Sequence, residues 1–179
     1  MAIVNVVGST ISREAHDILY TSAGPEIAVA STKAYSSQLI AMYLLSIRMG
    51  RILGKIDDAE FTELKTAILK LPEQVQNILD RSQEIKALAD KHLGMKNIFY
   101  IGRGLDYATS LEGALKIKEV AYLHAESYQA GELKHGPIAL IEKGSVLMGL
   151  LGQESLMEKT ISNIKEVKAR GADVIAIAL

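Results

Sequence analysis

Read by its apolar and polar positions, the chain opens with Ile3 to Val7, a compact β-branched run closed by Gly8. This pattern predicts a short strand buried on both faces. A second short strand is expected at 18–21, Ile-Leu-Tyr-Thr. From Ser31, a residue suited to capping, apolar positions continue through Leu39, Met42, Leu45 and Met49 toward Leu53, which predicts a helix ending near Gly54. Asp57 and Glu60 have capping-box spacing, and Phe61, Leu64, Ile68 and Leu71 follow at helical intervals until Pro72 interrupts them. Two further helical stretches are expected at about 73–80 and 82–93. The block 57–93 holds no strand candidate and reads as a helical connector.

A second alternating pattern begins after it. Asn97 to Ile101 predicts a strand, followed by a Gly-Arg-Gly turn and a helix over about 105–123. Next comes the polar stretch His124 to Pro137, then a strand near 145–151, a helix over about 153–170 and a closing strand from Ala172. The last helix carries Glu154 and Glu158 early, Lys165, Lys168 and Arg170 late, and Gly171 just past its end, the order a helix dipole favours. Apolar strands alternating with helices predict an α/β fold, a parallel sheet with helices on both faces. The sequence starts almost inside one strand and stops inside another, so it is expected to be a segment of a longer chain. Unpaired strand edges at 3–7 and 173–178 would then favour self-association.

Composition narrows the partners. Of 179 residues, 49% are hydrophobic and 23% charged, enough to bury a substantial core. Lys and Arg total 20 against 21 Asp and Glu, so no basic face is implied and nucleic acid is not an expected partner. The chain has no cysteine, which excludes disulfides, thiolate metal sites and a cysteine nucleophile. No signal peptide is apparent, and the longest apolar run, 39–47, is about half of the roughly 20 residues a membrane span needs. A cytoplasmic location without metal, cofactor or membrane is the expectation.

Candidate chemistry gathers in the second half. Glu112, Lys116 and Glu119 are spaced four and three apart, which puts them on one helix face, with Leu111, Ala114, Ile117 and Ala121 expected on the core side. On an arbitrary helix such a stripe is a solvated ion-pair row worth about 0.2–0.5 kcal/mol per pair. Here it runs into a cluster of ionisable residues, which points instead to a cleft at the carboxyl end of the sheet. A carboxylate such as Glu119 beside a lysine can abstract a proton next to a carbonyl. A loop histidine, His124 or His135, can move a proton at a sugar oxygen, and Gly136-Pro137 favours His135 by fixing its turn. Two motifs carry less. His-Ala-Glu at 124–126 matches one half of a zinc deaminase signature whose cysteine half is missing, and Gly102-Arg103-Gly104 lacks the third glycine of a dinucleotide fingerprint.

Two stretches carry a resemblance: AGPEIAVASTKAYSSQL at 23–39 and LEGALKIKEVAYLHAESYQAGELKHGPIALIEKG at 111–144. They resemble the isomerase part of the glucosamine-6-phosphate synthases, the glutamine:fructose-6-phosphate amidotransferases. The resemblance implies sugar-isomerase (SIS) domains, flavodoxin-like three-layer sandwiches joined by helices and preceded by a glutaminase domain. On this chain it implies the end of a first SIS domain at 1–56, a connector at 57–93 and most of a second SIS domain at 94–179. It implies the conversion of fructose-6-phosphate to glucosamine-6-phosphate, with a phosphosugar as ligand and a homodimer as the assembly. Glu119 falls on the catalytic glutamate that moves a proton between C1 and C2 of the ring-opened sugar imine. Lys116 falls on the lysine that helps position that step, and Glu112 on a neighbouring carboxylate. His135 falls on the ring-opening histidine, which in the family serves the partner subunit's site. Val29, by its backbone, and Ser31, by its hydroxyl, fall on sugar contacts.

The departures matter equally. The phosphate loop of the form S-Q-S-G-x-T is absent, the Schiff-base lysine of the family's tail would lie beyond Leu179, and the glutaminase cysteine is missing. The isolated chain is therefore expected to be inactive. A non-catalytic phosphosugar-binding regulatory module is the alternative, weakened because a sensor needs no base beside Lys116; a scaffold with a structural ionisable stripe is a third.

Overall fold

The computed structural model describes residues 1–178, and Leu179, the last residue of the expected closing strand, lies outside them. The chain divides after Ile85 into two compact units.

In the first unit, β1 (Ala2–Val4) pairs in parallel with β2 (Ile18–Tyr20), and the short helix α1 (Thr10–Glu14) connects them. The expected strand 3–7 is shorter than its apolar run, because Val6 and Val7 turn out to solvent at 65% and 77% exposure. Helix α1 was not expected; its sequence signal is Ser9, whose side chain caps the Ser12 N–H. Helix α2 (Lys33–Ile52) ends where predicted, with Gly54 at φ 64°. Ser31 does not cap it. Thr32 holds that position without a side-chain bond, and the Ser31 hydroxyl donates to Glu26 instead.

Helix α3 (Asp58–Asp80) starts at Asp57, whose carboxylate accepts the Glu60 N–H at 2.8 Å, as the capping-box spacing predicted. It then runs through Pro72 rather than stopping there. Pro72 is itself exposed, so water can serve the carbonyl that a proline leaves unpaired. Helix α4 (Ser82–Asp90) follows.

The second unit is one four-stranded parallel sheet. Its elements are β3 (Asn97–Gly102), α5 (Leu105–Ala121), β4 (His124–Gln129), two 3-10 turns (Leu133–His135 and Pro137–Leu140), β5 (Val146–Leu151), α6 (Glu154–Ala169) and β6 (Asp173–Ala178). The strand order is β4-β3-β5-β6. The polar stretch 124–129 is thus an edge strand and not the expected loop. An edge position explains how a strand can carry His124, Glu126 and Gln129, since only its inner side is fully covered.

Alternate residues of β3 feed two cores. Phe99 and Ile101 join Leu133, Ile141, Leu147 and Val167 on one face, which α6 and the 3-10 segment cover. Ile98 and Tyr100 join Ala114, Ala125 and Val146 on the other, which α5 covers. Helices on both faces of a parallel sheet are the predicted architecture. Gly102 is required by close packing, because a Cβ there would sit 2.4 Å from the Asp106 carbonyl carbon in the first turn of α5. Among the described residues no helix is long and apolar enough to cross a membrane.

Candidate functional site

Helix α5 buries Ser110 and Ala114 against the sheet, packs Ile117 beside them and sets Gly113 over the Tyr100 ring. That rotation places Glu112, Lys116 and Glu119 along one flank, with side chains 22%, 23% and 27% exposed. Lys116 Nζ lies 3.5 Å from Glu112 and donates a hydrogen bond to Glu119. The Glu119 hydrogen bond raises the lysine's pKa, aided by the charges of Glu119 and Glu112. The stripe is therefore a carboxylate–ammonium–carboxylate row, partly withdrawn from water.

Two expectations about this helix fail. Leu111 is 48% exposed and Ala121 is also exposed, because the buried stripe runs through Ser110, Ala114 and Ile117. The stripe also does not line the carboxyl end of the sheet. In a parallel sheet the helix after β3 starts at that end and runs back, so Lys116 and Glu119, in its last turns, lie toward the amino edge where β4 begins.

On β4, His124, Glu126 and Tyr128 occupy alternate positions and so share one side. His124 Nε2 stands 3.4 Å from Glu126, and the Tyr128 hydroxyl donates to the same carboxylate. That bond pushes the Tyr128 pKa up to about 12. His124 is thus engaged with a carboxylate, while His135 has a different setting.

His135 closes the first 3-10 turn and is exposed, next to Gly136 at φ 148° and Pro137 at the start of the second turn. The conformation at Gly136 is one that side chains disfavour, and Pro137 starts the second turn directly after it. Leu133, fully buried, anchors it from below. Because Leu133 belongs to the core of the α6 face and Ala114 to that of the α5 face, His135 and Glu119 are carried on opposite faces of one sheet.

Val29 and Ser31 lie in the first unit. Val29 is 94% exposed in an irregular loop. Ser31 donates to Glu26 at 2.8 Å, and Glu26 also accepts the Thr32 N–H at 2.8 Å. These bonds, the Thr32 one first, hold the Glu26 carboxyl below its ordinary pKa. Glu26 escaped the sequence reading; its signal was an acidic residue five positions before a serine in a loop, which many loops share. The second unit thus assembles Glu112, Lys116 and Glu119 in one row, and holds His135 apart from it. Among the described residues, no group of three His, Asp or Glu side chains is placed to hold a metal ion.

The chain is similar to known proteins. The glutamine–fructose-6-phosphate aminotransferase [isomerizing] of Clostridium tetani is 56% identical over 178 residues, which cover 99% of this chain and 29% of that protein. Its counterpart from Caldanaerobacter subterraneus is 53% identical over 178 residues, with the same shares. The chain therefore spans under a third of the length of these relatives. Among solved structures, the C-terminal domain of the glucosamine-fructose-6-phosphate aminotransferase from Francisella tularensis superposes with a TM-score of 0.94 at 36% identity, covering 98% of this chain and 50% of that one. The sequence profile of the SIS domain matches residues 1–48 and 94–179, and the chain belongs to the SIS domain family.

Proposed function

We propose that this chain is the isomerase segment of a glutamine-dependent fructose-6-phosphate aminotransferase, acting in the formation of glucosamine-6-phosphate. The observation that carries this reading is the Glu112–Lys116–Glu119 row, a carboxylate held against a protonated lysine in a chain similar to enzymes of that name. Glu119 carries the proton between C1 and C2 of the ring-opened sugar imine. Lys116 keeps a positive charge beside it, which favours the developing negative charge on the sugar. Glu112 fixes Lys116 from the other side. His135 opens the sugar ring, and Val29 and Ser31 contact the sugar. By this reading residues 1–56 close a first SIS domain, 57–93 connect, and 94–179 belong to a second.

The opposite-face arrangement favours a dimer in which His135 of one copy serves the site of the other. The chain alone lacks a phosphate loop of the family's form, so it is expected to be inactive. In an enzyme of the relatives' full length containing this chain, Glu119→Gln keeps the shape of the side chain and removes its ability to take a proton. Glucosamine-6-phosphate formation is expected to be abolished while glutamine hydrolysis persists. Wild-type rates of product formation in that variant would refute the assignment.

A further inference from the structure

The Gly-Arg-Gly turn after β3 has no part in the chemistry above, yet Arg103 reaches across the second unit. Its NH2 donates to Asn163 Oδ1 at 2.9 Å, and Asn163, on α6, is only 4% exposed. Both terminal nitrogens of the guanidinium also lie over Gly131, so close that a Cβ built there would be 3.3 Å from each. Gly131 is the root of the segment that leads to His135. Arg103 Nε is buried without a hydrogen-bond partner among the described residues, an unfavourable state for a donor.

The same helix holds the segment further along. Glu166 pairs with Lys134 at 2.8 Å, the residue before His135, and Arg170 donates to the Ile138 carbonyl at 3.1 Å, just after it. Asn163 and Glu166 are three apart on α6, and Arg170, which caps the helix, continues their face four positions on. Val167 on that face is fully buried in the core with Leu133. The exposed ties contribute little alone. The Arg103–Asn163 bond is the one shielded from water, and it sits where the segment leaves the sheet.

We infer that Arg103, locked by Asn163 and laid over Gly131, is the positioning residue that sets where the His135 segment leaves the sheet. Its link to catalysis rests on the proposed role of His135; its grip on the segment does not. Hydrogen exchange of the 179-residue chain tests the grip. Arg103→Gln and Asn163→Leu are expected to speed exchange at the Ala130, His135 and Ala139 amides, which bond to Gly102, Glu132 and Gly136, while amides of β5 are unchanged. Asn163→Asp, which keeps an acceptor, is expected to preserve protection. Gly131→Ala, which presses a methyl on the guanidinium, is expected to act like Arg103→Gln. Unchanged exchange at all three amides in Arg103→Gln and Asn163→Leu would overturn the inference.

A double-mutant cycle in an enzyme of the relatives' full length tests the link to catalysis. Misplacing a catalytic group by about 1 Å can cost on the order of 100-fold in rate. Arg103→Gln is therefore expected to lower kcat by roughly that factor, with KM little changed, and to have no further effect in a His135→Asn background. Equal losses in both backgrounds would make Arg103 a merely structural residue. Full activity of His135→Asn alone would instead refute the proposed role of His135 and leave the exchange result standing.

Discussion

Glu119 and His135 are separated by a sheet: one rides on the helix packed over Ile98 and Tyr100, the other on a turn anchored over Phe99 and Ile101. Neighbouring residues of a strand point to opposite faces, so these two cores cannot meet through β3. Within one copy the sheet therefore lies between the two side chains. The resemblance implies a histidine donated across a dimer, and the proposed function adopts that arrangement.

The Tyr128–Glu126 bond predicts a late-titrating tyrosine. Its pKa is raised from an ordinary 10.0 to about 12, chiefly by the hydrogen bond to Glu126. A raised folded-state value means the bond contributes stability fully below pH 10 and loses that contribution as the pH climbs toward 12. Glu126→Gln is expected to let Tyr128 ionise earlier. Tyr100, which burial also pushes up, is expected to stay late. Ultraviolet difference absorbance against a Tyr128→Phe control checks this, and an unchanged Tyr128 titration in Glu126→Gln would count against the bond.

The capping bond at Asp57 predicts a stability effect remote from the site. Asp57→Ala removes the acceptor for the Glu60 N–H, an exposed cap of the kind worth about 1 kcal/mol. Urea unfolding followed by circular dichroism is expected to show a lower midpoint, while Asp57→Ser is expected to recover most of the loss.

Glu26 predicts an acid response in the first unit. Its carboxyl is held below the ordinary 4.5 by the Thr32 N–H and the Ser31 hydroxyl. A depressed value means the loop staple is present above the ordinary pKa and is lost as the pH falls through the lowered one. The Thr32 amide resonance is expected to report that transition, and Glu26→Gln is expected to abolish it.

Much of this was legible in the sequence, and the failures have physical causes. Buried β-branched runs and helix punctuation such as Asp57, Gly54 and Gly171 marked most elements, because a cap or a turn acts over a few residues. The row of Glu112, Lys116 and Glu119 followed from helical spacing alone. Strand β4 was hidden because an edge strand tolerates polar residues that a central strand would not. The direction of the stripe along the sheet was misread because spacing gives a helix face and not which end of the fold it approaches. Leu111 was misassigned because the helix turns Ser110, a polar residue, inward to meet Ser127, with the two hydroxyls 2.5 Å apart. Arg103 was invisible because its partners, Asn163 and Gly131, are distant in sequence and unremarkable singly.

Subunit complementation tests the central claim, that Glu119 and His135 act in one site supplied by two copies. In an enzyme of the relatives' full length, Glu119→Gln and His135→Asn subunits are each expected to be inactive as homodimers. In a mixed dimer, the His135→Asn copy provides an intact Glu119 and the Glu119→Gln copy an intact His135, so one of two sites is whole. After random re-association about half the dimers are mixed, and roughly a quarter of wild-type glucosamine-6-phosphate formation is expected to return. No recovery in dimers shown to have exchanged subunits would contradict the account.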